Sequence, residues 1–163
     1  MNEKIAIMTD STSDIPKHIA EQYHIQVVPL RILYKEHEYR DQVDITAEEV
    51  YRRLPIEVPS TSLPSPSDVL DLFERLKKEG FTHVLAIHIS SGLSGTGQLI
   101  QNLSQQVDDL VIKVIDSKNI SMGLGYTVIE AARELARNAS FESVCNHVQE
   151  ILAKMKVYFV LET

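Results

Sequence analysis

The residues most able to do chemistry stand close together in Ser90-Ser91-Gly92-Leu93-Ser94-Gly95-Thr96-Gly97, directly after the apolar run ending at Ile89. Three serines, three glycines and a threonine in eight residues follow what reads as a buried strand and lead into a helix expected from about Ser94. The first N–H groups of a helix lack intrahelical partners and carry the positive end of its dipole, so such a turn suits an anion. A serine at a strand-to-helix turn also resembles the nucleophile elbow Gly-x-Ser-x-Gly, but Thr96 stands where the last glycine should be. The one histidine after Ser94 is His147, expected inside a helix. An N-cap role would account for Ser94 alone.

Two further stretches carry concentrated hydroxyls or carboxylates. Pro59-Ser60-Thr61-Ser62-Leu63-Pro64-Ser65-Pro66-Ser67 lies in a segment, Pro55 to Ser67, that holds four of the six prolines. Proline fixes φ and removes donors, so a stiff extended loop is expected, with rigid hydroxyls that can meet a carboxylate or phosphate at little ordering cost. Ser65 or Ser67 could simply cap the next helix, which leaves Thr61 and Ser62 unexplained. In Thr9-Asp10-Ser11-Thr12-Ser13-Asp14, the aspartates Asp10 and Asp14 could serve Mg²⁺ and phosphate chemistry. The plainer reading is a capping turn before Pro16. The six histidines do not cluster; His83 and His88 fall on opposite faces of their strand.

These stretches need elements to hold them. Lys4 to Met8 reads as a strand buried on both faces, followed by a helix after Pro16 with Ile19, Ala20 and Tyr23 on one side. Ile25 to Tyr34 reads as one strand and Glu38 to Arg40 as a short return strand. Thr46 and Glu49 form a capping box for a helix to about Leu54. Another helix from about Asp68 places Val69, Leu72, Phe73 and Leu76 on one face and stops at Gly80. Phe81–Ile89 and Val111–Ile115 are strands, separated by a helix to about Val107. Helices over 120–137 and 140–155 follow, and Val157 to Leu161 reads as a last strand. Alternation of strand and helix indicates an α/β domain with a mainly parallel sheet flanked by helices, whose ligands sit beyond the carboxyl ends of the strands. Residues 9–14, 90–96 and 116–117 are such ends.

Composition sets limits. The 163 residues carry 44% hydrophobic and 24% charged side chains, ordinary for one globular domain. A net charge of −7 argues against nucleic acid as a partner. The single Cys145, on a helix's apolar stripe, excludes an internal disulfide and reads as a buried, inert thiol. With no signal-peptide pattern after Asn2 and no run near the ~18 apolar residues of a membrane span, the chain reads as soluble and cytoplasmic.

Asp10-Ser11-Thr12-Ser13-Asp14, Thr61-Ser62-Leu63-Pro64-Ser65 and Ile89-Ser90-Ser91-Gly92-Leu93-Ser94-Gly95-Thr96, with Asp116-Ser117 after the next strand, together resemble the DegV family of bacterial fatty-acid-binding proteins. The match spans nearly the whole chain but only the family's N-terminal domain, so residues 1–163 read as that domain, truncated before a second α/β domain. The resemblance implies a non-enzymatic carrier of one long-chain fatty acid, without metal or other cofactor. Its partner would be a separate ATP-dependent fatty acid kinase subunit that forms an acyl phosphate. Thr61 and Ser94 would hydrogen-bond the carboxylate, with Ser62, Ser91, Gly92 and Gly95 shaping the site. Gly97 stands where members often carry tyrosine, which bears on tunnel width. The alternative on the residues alone is an enzyme: a serine esterase using Ser94, or a phosphate-handling hydrolase using Asp10 and Asp14.

Overall fold

In the computed structural model, which describes residues 2–158 and 160, the apolar runs form the centre of a three-layer α/β unit. Strands β1 (Ile5–Asp10), β2 (Gln26–Val28), β6 (His83–His88) and β7 (Val111–Asp116) make a parallel sheet in the order β2-β1-β6-β7. Between β1 and β2 runs helix α1 (Lys17–Gln22), with Pro16 at its N-cap, one position before the first helical residue that proline suits. All of β1 is buried, as expected of a strand covered on both faces.

Side-chain alternation divides the core. Ile7, Leu85, Ile87 and Ile115 face helices α5 (Ser121–Ala136) and α6 (Phe141–Lys154), meeting Leu124, Val128, Val144 and Val148. Met8, Val84 and Ala86 face the other way, onto α3 (Pro66–Lys78) and α4 (Thr96–Ser104), where Phe73, Leu76 and Ile100 are fully buried. The expected stripe of α3 is the one buried, and Gly80 ends the helix with φ of +83°, a conformation glycine adopts without strain. Cys145 is buried in the α5–α6 layer, and burial raises its thiol pKa.

A second, antiparallel sheet of β4 (Glu38–Arg40), β3 (Arg31–Leu33) and β5 (Ser60–Ser62) stands beside it, with helix α2 (Ala47–Arg53) leading toward β5. Thr46 caps α2 through its Oγ1, which accepts the Glu49 N–H at 3.2 Å. The predicted single strand over Ile25–Tyr34 is two strands in two sheets. Pro29 interrupts it, and the next N–H, of Leu30, turns to the Ser11 hydroxyl at 3.1 Å. The expected loop at 55–67 contains β5, which pairs Thr61 with Ile32. The small sheet is tied to the main body by Arg31 and Asp68, 2.6 Å apart, and by Gln42 Nε2 donating to the Ser11 carbonyl at 3.0 Å. At the end of the chain, Val157, Tyr158 and Val160 form no strand; the rest of the expected last strand lies outside the described residues.

The strand order reverses at β1 and β6. From β1 the chain goes outward to β2, then returns across β1 to β6 and on to β7. A crevice opens beyond the carboxyl ends of strands at such a reversal, and the residues after β1 and β6 are those singled out for chemistry.

Candidate functional site

The chain leaves β6 into a tight turn. Leu93 and Ser94 N–H both donate to the Ser90 carbonyl, at 2.9 and 3.1 Å, and Gly92 N–H donates to the Ser90 hydroxyl at 3.2 Å. Helix α4 starts at Thr96, two residues later than predicted, with Gly95 at the N-cap. Ser94 is therefore not the first helical residue. Its half-buried hydroxyl lies 2.9 Å from the hydroxyl of fully buried Thr96 and accepts the Thr96 N–H at 3.3 Å.

Ser91 anchors the turn to the neighbouring strand. Its hydroxyl and N–H donate to the two oxygens of Asp116, at 2.6 and 3.1 Å, and Lys118 N–H adds a third bond at 2.9 Å. Burial raises the Asp116 pKa, but the Ser91 and Lys118 donors outweigh it and hold it below the ordinary value. Gly92 is exposed at the tip. Gly95 faces the proline-stiffened stretch, where a Cβ would lie 3.8 Å from Leu63 Cδ2. That apolar approach brings the Thr61 and Ser94 stretches together; the hydrogen bonds among the described residues do not join them. Thr61 and Ser62 are exposed on β5. Leu63 and Leu93 leave 38% and 59% of their surface open, so the polar turn has an apolar rim.

The loop after β1 has its own centre. Asp10 is fully buried; one oxygen accepts the Thr12 N–H at 3.0 Å and the Thr12 hydroxyl, the other the Ile89 N–H at 3.0 Å, and His88 Nδ1 lies 2.9 Å away. The expected capping turn forms, but Asp10 caps the short turn Ser11–Ser13 and not the helix after Pro16, which has no side-chain cap; the sequence reading also missed His88. Both Asp10 oxygens are engaged by protein donors, so Asp10 is not an open carboxylate; Asp14 ends the short turn in a left-handed conformation at φ of +51°. Among the described residues, no group of three or more His, Cys, Asp or Glu side chains could hold a metal. His88 and Asp10 have the chemistry of a base and its orienting acid. His88 is fully buried, however, and its Nε2 meets no partner among the described residues. The Ser94 hydroxyl is paired with Thr96 rather than with a histidine. His147 lies in α6, as expected.

Electrostatics of these carboxyls make the fold acid-sensitive. For Asp10, burial raises the pKa, but the His88, Thr12 and Ile89 donors bring it below the ordinary 3.8. Arg40 holds Asp44 down at about 2. A carboxyl depressed in the fold stabilises it above its unfolded pKa, and that stability is lost as pH falls through the folded value. Asp41 opposes the trend: burial raises it, the Asp14 charge adds to that, and the Ser11 hydrogen bond pulling the other way does not cancel them. Thermal unfolding scans are expected to show a level Tm from pH 7 to 5 and a steady fall between about pH 4 and 2. A Tm unchanged down to pH 2 contradicts this assignment.

A cavity of about 630 Å³ runs between α1, β2 and residues 41–43 and is lined by neither Thr61 nor Ser94. Among the described residues, no helix is long and apolar enough to cross a membrane.

Comparison with known proteins places the fold. A family model described as "Uncharacterised protein, DegV family" matches residues 4–163. A DegV domain-containing protein of Clostridium acetobutylicum is 43% identical over 161 residues, covering 99% of this chain and 58% of its own length. One from Listeria innocua is 34% identical over 164 residues, again over 99% of this chain and 58% of the relative. The chain thus spans somewhat over half the length of these relatives. Among solved structures, DegV of Bacillus subtilis, described as a fatty acid binding protein, superposes with a TM-score of 0.88 at 30% identity, over 93% of this chain and 54% of that one. A stearic-acid-binding protein of Eubacterium ventriosum gives a TM-score of 0.83 at 32% identity, over 90% and 52%. With the three-layer fold and its turns in place, the chain belongs to the DegV family.

Proposed function

We propose that this chain binds a long-chain fatty acid, holding the carboxylate at the Ser90–Thr96 turn and laying the tail against the apolar rim. The observation that carries this reading is the pairing of a hydroxyl-lined turn at the strand-order reversal with exposed Leu63 and Leu93 beside it. A fatty-acid carboxylate is ionised at neutral pH, and hydroxyls with helix N-terminal N–H groups can hold it without a cationic side chain. Each methylene covered adds about 0.8 kcal/mol before the costs of association.

In this reading Thr61 and Ser94 are the two hydroxyl contacts to the carboxylate. Ser62, Ser91, Gly92 and Gly95 give the site its shape: Ser91 by its hold on Asp116, Gly95 by lying against Leu63. The chain acts as a carrier, without catalysis of its own or a metal or cofactor, in the cytoplasm. It presents the carboxylate to an ATP-dependent fatty acid kinase subunit for conversion to an acyl phosphate. The solved relatives described as fatty-acid-binding support the ligand class.

The test is mass spectrometry of an organic extract of the purified chain, followed by palmitate titration of delipidated protein. A co-purifying fatty acid and saturable uptake are expected. Delipidated, folded protein that takes up no palmitate overturns the proposal for this chain.

A further inference from the structure

Asp10 and His88 have no role in the site as read so far, yet they lie at its root. Met8 pairs with Ala86 across the two strands, so Asp10 and His88 emerge side by side on the face covered by α3 and α4. Both are fully buried. Asp10 gathers donors from two places: the N–H and hydroxyl of Thr12 in its own loop, and the Ile89 N–H with His88 Nδ1 at the end of β6. An ionised carboxylate only accepts, so the proton between it and His88 sits on Nδ1. Above them lies the first turn of α4, where a Cβ on Gly97 would stand 4.0 Å from His88 Cβ. Ile89 is the last residue before the turn, so its tether fixes the point from which Ser90 to Thr96 depart.

We propose that Asp10, with His88, is a positioning residue for the anion-holding turn: it fixes the exit of β6 so that the Ser94 hydroxyl stands ready-placed for the carboxylate. This rests on the fatty-acid reading of that turn. Preorganisation of this kind raises affinity by removing the cost of ordering the loop at binding. Asparagine at position 10 would not do the same. With its oxygen toward Ile89 and His88, its NH₂ opposes the Thr12 N–H; with the amide reversed, the NH₂ opposes the Ile89 N–H. In either case one main-chain donor loses its acceptor, a costly outcome in a buried place.

The experiment follows amide exchange and the His88 imidazole by NMR in this chain, together with palmitate titration. In the wild type, a slowly exchanging Nδ1–H proton is expected. Asp10→Asn should shift or abolish it, raise amide exchange over Ile89–Ser94 about tenfold or more relative to α6, and weaken palmitate binding about tenfold. Should Asp10→Asn fail to fold, a second pair decides. His88→Asn, whose amide can donate where Nδ1–H does, should retain turn protection and palmitate affinity that His88→Leu loses. Turn exchange unaltered by Asp10→Asn, or His88→Asn and His88→Leu behaving alike, overturns the proposal. Exchange that rises while palmitate affinity stays at the wild-type value supports the positioning of the turn and refutes its use for the carboxylate. Wild-type protein that binds no palmitate removes the carboxylate reading, while the exchange and imidazole signals still decide the role of Asp10.

Discussion

Ser94→Ala is expected to weaken palmitate binding by about 1.5–3 kcal/mol, the range for a hydrogen bond to a charged group, or roughly tenfold to somewhat over a hundredfold. Two losses combine in this variant. The hydroxyl proposed to meet the carboxylate disappears, and so does the acceptor of the Thr96 N–H. The second loss would be felt by the empty protein as well, so stability should be measured beside affinity. Ser94→Thr keeps a hydroxyl at the position and should recover part of the affinity. Titration calorimetry on delipidated protein reads the difference. If Ser94→Ala binds palmitate as the wild type does, Ser94 is not a carboxylate contact, and the hydroxyl of Thr96 becomes the next to test.

Gly125→Ala is expected to damage the fold more than its single added methyl would imply. A Cβ at Gly125 would stand 2.3 Å from the Ser13 carbonyl oxygen and 3.3 Å from Ile15 Cγ1. The obstacle is main chain in the loop that carries Asp10 to Asp14, so it cannot swing aside as a side-chain tip could. Overpacking of this kind costs about 1–3 kcal/mol, corresponding to a Tm lower by roughly 3–10 °C for a chain of this size. Gly97→Ala is the contrasting case, since its Cβ would meet nothing closer than His88 at 4.0 Å. Equal Tm values for the two variants would show that the loop yields to α5 without cost.

The sequence and the structure agree most where local chemistry dictates the backbone. Thr46 and Glu49 announce the start of α2 because the cap is built from residues three apart. The stripe of Val69, Leu72, Phe73 and Leu76 is legible because one helix face must be apolar to be buried. β5 escapes notice for the opposite reason: Ser60, Thr61 and Ser62 are all hydroxyl residues and all exposed, so they carry no alternation. Its partner strand fixes it, and pairing across sequence is invisible to a local pattern. The same holds for Asp10 and His88, 78 residues apart. Each ends a parallel strand, and only the register of β1 against β6 brings them into contact. Of the site, the hydroxyl-rich turn and Asp10 could be read directly, whereas the pairing of Asp10 with His88 could not.

Thr61 and Ser94 belong to different structural units. Thr61 rides on β5 of the small antiparallel sheet, and Ser94 on the turn leaving the parallel one. No ladder of main-chain bonds joins the two sheets among the described residues; Arg31–Asp68, the Ser11 contacts and the approach of Leu63 to Gly95 do so. A carboxylate gripped by both hydroxyls would therefore act as a staple between the units. Its residence time would be governed by how often they part, and tightening Arg31–Asp68 would lengthen retention without touching the ligand.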